Sequence, residues 1–499
     1  MAIMKGRRGD TLALLAGALL PLSLSPFDAW WLAPLPLVLY LFLLKDQMLS
    51  RRCARSFFFG LGYFGVGASW VYVSIHDYGY APLWLAVLLT LAFVAGLALA
   101  FALPMWIWHR YVEEKPSGVL LGFPAIWVLN EWYRSWFLTG FPWLYLGYSQ
   151  TETLAGGWAP LAGVYSISFL LSLLAASAAC CIQSRQKIWL PLLVTGVAIG
   201  GGKLLDTVSW THPVAGLQQH VSLVQGNVAQ QQKWKPGQRA AIRALYRDMS
   251  EPLWGKGDLI VWPEAAIPEV YTPGHPFFVL MQAEAEARGG GLVTGVLSLH
   301  QNEKGDDIYY NSLLGIGEAS GFYHKRRLVP FGEYVPLQQW LEGLLDFFQL
   351  PVSEVSLGPE HQENLSSGLL RIASSICYEV TYPELVASQA RDADVLLTVS
   401  NDTWFGSSIG PHQHLQMAQM RARENAREMM RATSNGISAF IDSKGRVVSR
   451  SPQFQPFVLQ GSVQAFRGNT PYQLLGNWPV LILCLSCLDA VFFRRSRVA

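Results

Sequence analysis

Three apolar runs in the second half of the chain each end on a residue able to do chemistry. DLIVW runs into Pro263 and Glu264, and LLRIASSI runs into Cys377. YHKRRLVPFGEYVP places Lys325 just past a strand-like segment, with Glu333 eight residues later. A thiol titrates at about 8.5 and attacks well only as the thiolate, so Cys377 needs a base or a cation beside it. Glu264 could take the proton if burial raised its own pKa. Lys325 could steady a thiolate or a tetrahedral oxyanion as a fixed charge. Together the three make a nucleophile, a general base and an electrostatic stabiliser.

Taken singly, each residue has a plain alternative. Cys377 could be a buried inert thiol, Glu264 a helix cap and Lys325 part of a solvated basic face. His412 and His414 lack a clear third ligand in sequence, so no metal is expected, and no cofactor either. Cys377 is the only cysteine between residues 182 and 483, which rules out a disulfide framework in that region.

The elements that must position these residues fall into two kinds. The chain is 51% hydrophobic and 14% charged over 499 residues, with a mean hydropathy of +0.24. Soluble domains carry about 25% charged residues, so the deficit points to a membrane protein. The net charge of +2, without a dense basic run, gives no nucleic-acid signal. Crossing a bilayer takes roughly 20 apolar residues. The candidate spans are 11–26, 28–44, 56–75, 82–108, 118–137, 159–182, 188–204 and 476–493. This predicts a seven-span bundle over 1–204, an exported domain over 205–475, and an eighth span with a short tail over 476–499.

Charge placement orients the chain. Lys5, Arg7 and Arg8 precede the first span, and Lys45, Arg51, Arg52 and Arg55 follow the second. Arg110 and Lys115 follow the fourth, Arg185 and Lys187 the sixth, and Arg494, Arg495 and Arg497 the eighth. The alternate connections hold no Lys or Arg, so both termini are expected in the cytoplasm and residues 205–475 outside it. In the fifth span Glu131 and Arg134 lie at i, i+3. That spacing fits a structural ion pair, or an Arg134 that helps to hold a phospholipid head group.

Between the last two spans the pattern changes. VSLVQGN (221–227), DLIVWPE (258–264), GLVTGVLSL (291–299), NSLLGIG (311–317), LLRIASSICYE (369–379), VLLTVSN (395–401) and ISAFIDS (437–443) read as buried strands. Residues 239–254, 276–287 and 412–432 have helical spacing, so the expectation is an α/β layered domain.

WPEAAIP, YHKRRLVPFGEYVP, ICYEVTYPEL and LLTVSNDTWFG together resemble the nitrilase superfamily, whose mark is a Glu-Lys-Cys triad on an α-β-β-α sandwich. With the flanking spans, EWYRSWFLTGFPW and VQGNVAQQQKW, the chain resembles the membrane-bound apolipoprotein N-acyltransferase family over nearly its whole length. The resemblance implies Glu264 as general base, Lys325 as stabiliser and Cys377 as nucleophile. It implies that Glu333, Tyr378, Glu379 and Asn311 support them and that Trp234 stands near the substrate entrance. SNG at 434–436 stands where NTG is expected, keeping a side-chain hydroxyl.

The implied reaction moves an acyl chain from the sn-1 position of a phospholipid of the phosphatidylethanolamine kind, through a Cys377 thioester. Its acceptor is the α-amine of an S-diacylglyceryl cysteine on an apolipoprotein, the last step of bacterial lipoprotein maturation. The implied setting is the bacterial inner membrane, with a periplasmic catalytic domain and a monomeric chain in contact with the bilayer. PLQQWLEGLLDFFQLPV (336–352) is the candidate for a membrane-dipping arm, with Trp340 and Phe348 as acyl-chain contacts. Its plain alternative is a helix packed on the sandwich. Two rival functions remain: a membrane-tethered amidase or nitrilase that passes its thioester to water, and a non-catalytic lipid-binding scaffold.

Overall fold

The computed structural model describes residues 6–115, 117–184, 189–255, 257–301, 304–330, 332–334 and 355–493. It forms two compact units: Met1–Ser209 with Ser408–Gln416 and Leu474–Ala499, and Trp210–Ser407 with Met417–Gln473. Trp340, Phe348 and the whole of 336–352 lie outside the described residues, as do Lys5, Arg185, Lys187, Arg494, Arg495 and Arg497.

The first unit is helical, since long apolar runs must bond their own backbone where water is scarce. Its helices are α1 (Gly6–Leu19), α2 (Pro34–Leu44), α3 (Leu49–Gly67), α4 (Leu83–Tyr111), α5 (Phe123–Arg134), α6 (Ala159–Ser184), α7 (Trp189–Gly196) and a C-terminal helix over Trp478–Phe493. All eight apolar stretches contain helix. Among the described residues, however, only Leu83–Tyr111 and Leu154–Gln183 are long and apolar enough to cross a membrane unaided. A third candidate is the pair Leu49–Gly67 and Val71–Tyr78, bent by 61°. The other runs are interrupted: α1 gives way to a 3-10 turn holding Pro21, and α5 follows a widened turn over Gly118–Gly122. α1 and α3 cross in backbone contact, for a Cβ on Gly17 would lie 1.9 Å from the Phe59 carbonyl oxygen.

Glu131 and Arg134 are both buried on α5, but no ion pair joins them among the described contacts. Glu131 instead accepts from the Trp127 indole at 3.0 Å and the Leu146 N–H at 2.8 Å. Arg134 donates to the Trp143 carbonyl at 3.1 Å and lies over the rings of Phe64 and Tyr145. Their spacing would allow a pair, but the hydrogen bonds that each makes run to other groups, Trp127 and Leu146 for Glu131 and Trp143 for Arg134.

The second unit is two stacked sheets with helices outside. The strands of the first sheet are β1 (His212–Gln225), β2 (Leu259–Val261), β3 (Val270–Tyr271), β4 (Gly291–Gln301), β5 (Asp307–Gly317) and β7 (Phe322–His324). The second sheet begins with β6 (Ala319–Ser320), β8 (Leu365–Ser367) and β9 (Leu370–Ile376). It continues through β10 (Val395–Ser400), β11 (Met429–Thr433), β12 (Ala439–Ile441) and β13 (Val447–Arg450). The long β14 (Phe457–Arg467) returns to the first sheet. The orders are β14-β1-β2-β4-β5-β7, with β3 on β4, and β13-β12-β11-β10-β9-β8-β6.

Alternate side chains explain the stacking. Val221, Leu223, Leu259, Val261 and Val293 of one sheet meet Ile372, Ile376, Leu397, Val399 and Met430 of the other in a single core. The opposite face of the first sheet, with Ile260, Trp262, Leu292 and Val296, packs under α8 (Arg239–Ser250) and α9 (Pro276–Arg288). α10 (Pro383–Ala390) lies beside β9. The order of layers is helix, sheet, sheet, helix.

One expected element is corrected. The helix read over 412–432 is α11 (Gly410–Asn425), and Met429–Thr433 is strand β11, paired in parallel with β10. Ala426, at φ +45°, turns the chain out of the helix. The apolar Met429, Met430 and Ala432 fit a fully buried strand as well as a helix face.

Candidate active site

β9 and β10 run parallel, with Ile376 opposite Val399, so Cys377 and Ser400 emerge together at their C-terminal ends. Crevices beyond the carboxyl ends of parallel strands are where layered α/β folds place ligands. Cys377 takes φ +53°, a left-handed conformation that costs a non-glycine residue about 1–3 kcal/mol. The chain turns there into a 3-10 turn over Cys377–Thr381.

Glu264 arrives from the other sheet, three residues past β2. Its backbone crosses β4 at Gly295, where a Cβ would lie 2.7 Å from the Glu264 Cα. Asn311 on β5 stands opposite Leu297 of β4, and Lys325 follows β7 directly. The structure brings these residues into one buried cluster, with Glu264 6% and Lys325 1% exposed.

The hydrogen bonds define the cluster. Glu264 Oε1 accepts from Asn311 Nδ2 at 2.7 Å and from Lys325 Nζ at 3.3 Å, while Oε2 accepts from the Asn401 N–H at 2.7 Å. Lys325 Nζ also donates to Glu333 Oε1 at 2.7 Å, and Asn311 Nδ2 to the same oxygen at 3.1 Å. Glu333 Oε2 accepts from the Val329 N–H at 2.8 Å, which closes the loop after Lys325. The Lys325 carbonyl accepts from the Gly358 N–H at 2.7 Å, where the chain returns.

Glu379 supports the site from behind. It is fully buried and accepts from the Tyr323 hydroxyl, from the Arg326 and Arg327 N–H groups, and from the Ile376 N–H. Tyr378 is buried beside Tyr382, ring edge to face at 5.4 Å.

These contacts set the proton affinities. Burial alone would raise Glu264, but Lys325, the Asn311 amide, the Asn401 N–H and Lys233 outweigh it and hold the carboxylate below its usual range. Burial disfavours a charged Lys325, yet Glu333 and Glu264 more than offset this and lift it above an ordinary lysine. Burial and the Glu264 charge push the Cys377 thiol well up, against Lys325 and a hydrogen bond with Ser400. The resting site therefore holds a neutral thiol beside an ionised carboxylate and an ammonium. It can make a thiolate by moving one proton to Glu264 as the sulfur attacks.

Trp234, 44% exposed, lines a groove of about 610 Å³ with Arg239, Arg243, Glu269 and His275. Ser434 of the SNG stretch accepts from the Asn227 N–H at 2.8 Å and donates its own N–H to the Ser400 carbonyl at 3.1 Å. Trp340 and Phe348 are not described, and Arg134 is buried in the helical unit. Among the described residues no group of His, Cys, Asp and Glu is placed to hold a metal.

Sequence reading missed two parts of the site. Lys233, 3% exposed, donates to the Glu264 carbonyl oxygen at 3.3 Å. Asp402, next to the Asn401 N–H, is fully buried with Arg431 at 2.7 Å and accepts from the Ser400 hydroxyl. The only signals were their places inside QQKW and SNDTWFG.

Comparison with known proteins adds a second line. Residues 16–177 match the model of the apolipoprotein N-acyltransferase N-terminal domain, and residues 211–472 match the carbon-nitrogen hydrolase model. The chain is 46% identical to the apolipoprotein N-acyltransferase of Azotobacter vinelandii over 98% of its own length and 96% of that protein's. It is also 46% identical to that of Pseudomonas aeruginosa, covering 95% and 94%. With the Methylococcus capsulatus protein of the same name the identity is 39%, covering 98% and 96%. A carbon-nitrogen hydrolase sandwich joined to this helical unit, matched from end to end by such relatives, leaves one assignment: the chain belongs to the apolipoprotein N-acyltransferase family.

Proposed function

We propose that this chain transfers an acyl group from a phospholipid to the N-terminal amine of a diacylglyceryl apolipoprotein, with Cys377 as the covalent carrier. The observation that carries the reading is the convergence of the half-buried Cys377 thiol with the buried Glu264 carboxylate and Lys325 ammonium.

In the first half-reaction the Cys377 sulfur attacks the sn-1 ester carbonyl of a phosphatidylethanolamine-like donor, and Glu264 takes the thiol proton. Lys325 steadies the oxyanion, while Glu333 fixes the direction of the lysine and Asn311 that of Glu264. The carbon–oxygen ester bond breaks, Glu264 returns the proton to the leaving oxygen, and a lysophospholipid departs. In the second half the acceptor amine attacks the thioester, its proton passes through Glu264 to sulfur, and the amide leaves. Both halves share the acyl-enzyme, so kinetics are ping-pong.

Transfer is favoured over hydrolysis by a site that keeps out water. Eight spans, cytoplasmic termini and an exported domain over 205–475 put the donor within reach. In this reading Trp234 guides substrate, Trp340 and Phe348 contact acyl chains, and Arg134 serves the lipid side. A scaffold would have no use for a buried Glu264 and Lys325 facing Cys377, and a hydrolase would have no use for so apolar a first unit.

The test is intact-mass spectrometry after incubation with phosphatidylethanolamine, beside Cys377→Ser treated alike. The expected result is an acyl-sized adduct on the wild type only, removable by hydroxylamine and cleared by a diacylglyceryl-cysteine peptide. Absence of both adduct and lysophospholipid would sink the proposal. An adduct cleared by water as fast as by peptide would favour the hydrolase.

A further inference from the structure

The triad reading leaves Lys233 without a task. It closes a single helical turn, Gln230–Lys233, and its side chain runs inward while the next residue, Trp234, faces out. Its ammonium donates to the Glu264 carbonyl oxygen at 3.3 Å. That carbonyl belongs to the peptide leading into Ala265, which holds a strained φ of +45°. No carboxylate forms an ion pair with Lys233 among the described contacts, whereas Lys325 has two at 2.7 and 3.3 Å. Burying an ammonium without a carboxylate partner is costly, and an apolar side chain would fill the same space more cheaply.

The two lysines therefore differ. Glu333 keeps Lys325 charged whether or not Glu264 holds a proton. The charge on Lys233 leans on Glu264 alone: burial draws its pKa down to about 8, and the Glu264 carboxylate opposes that. The charged and titratable groups facing Glu264 are Lys325, Lys233 and Cys377, with Glu333 sharing Lys325 and Asn311. Asp402 acts on Cys377 from behind and is itself paired with Arg431.

We propose that Lys233 is a positioning residue for the base: anchored on the carbonyl of Glu264, it pins the strained turn and keeps the carboxylate ionised until the thiol proton arrives. This rests on the reading of Glu264 as the base. It makes the cluster a carboxylate between two cations, one permanent and one conditional.

The test is single-turnover acylation of Cys377 by phosphatidylethanolamine in the full-length protein, followed by mass from about pH 3.5 to 8. In the wild type the acid limb lies at or below the ordinary carboxylate range. Lys233→Met and Lys233→Gln should move it up by about one pH unit, because a carboxylate that loses a neighbouring cation binds its proton more tightly. Lys233→Arg keeps the charge and should leave the limb in place. Neutral variants with a lower plateau but an unmoved limb would reduce Lys233 to packing and overturn the inference. So would neutral variants that fail to fold beside a folded Lys233→Arg. Glu264→Gln, run in parallel, separates the two readings. If it acylates at the wild-type rate, Glu264 is not the base and both readings fall. If it is slow while the Lys233 variants keep the wild-type limb, only the inference falls.

Discussion

Glu379 accepts a hydrogen bond from the Arg326 N–H at 2.5 Å. The same carboxylate accepts from the Ile376 N–H at 2.8 Å, so one buried group fastens the peptide after Lys325 to the strand end before Cys377. Glu379→Gln sets an amide NH₂ against backbone donors and leaves at least one of them unpaired, a loss of about 1–3 kcal/mol. Misplacing a catalytic group by an ångström costs about 100-fold in rate. The acylation rate constant should fall by that order with donor affinity little changed. Acylation within twofold of wild type would mean that the two loops keep their places without Glu379.

The same residue predicts a pH dependence of stability. Burial lifts Glu379 from an ordinary 4.5 to about 7, against the Ile376 and Arg326 N–H groups and Lys325. The folded chain thus holds this proton where the unfolded chain has lost it. Its contribution, of order 3 kcal/mol, is fully present below pH 4.5 and is lost as pH rises through 7. Thermal unfolding at several pH values should show the wild type losing more stability across that window than Glu379→Gln. Parallel curves would refute it.

Lys325→Met should be the most damaging substitution of the triad for stability. It leaves Glu264 and Glu333 sharing Asn311 with no cation between them. Breaking a buried pair by removing one partner costs about 3–5 kcal/mol. A second change, Glu333→Gln, should restore part of that stability and none of the acylation. If the double variant melts no higher than the single one, the Glu333 charge is not what destabilises it.

Cys377→Gly should give an inactive but more stable protein than Cys377→Ala. At φ +53° a Cβ is strained and glycine is not, a difference of about 1 kcal/mol in favour of glycine. In a helix or strand the order would be reversed. A melting temperature for Cys377→Ala at or above that of Cys377→Gly would show that the turn relaxes without cost.

The strands that carry the site were legible because each is a short apolar run ended by polar residues. DLIVW contains β2, GLVTGVLSL opens β4, and LLRIASSI contains β9. Convergence of Glu264, Lys325 and Cys377 could be expected on chemical grounds, though nothing in their spacing of 61 and 52 residues encodes it. Lys233 was illegible, since a lysine within QQQKWK looks solvated until the fold covers it. Glu131 and Arg134 misled in the other direction, because helical spacing permits a contact that Trp127, Leu146 and Trp143 pre-empt. β14 escaped notice because only Leu459, Val463 and Ala465 of its eleven residues are buried.

The Gly358 N–H donates to the Lys325 carbonyl at 2.7 Å, and the Ser356 N–H to that of Tyr309 at 2.8 Å. Residues 356–358 thus clasp the same lysine whose ammonium Glu333 holds. Both bonds are backbone to backbone, so this hold survives any side-chain change at Ser356 short of proline.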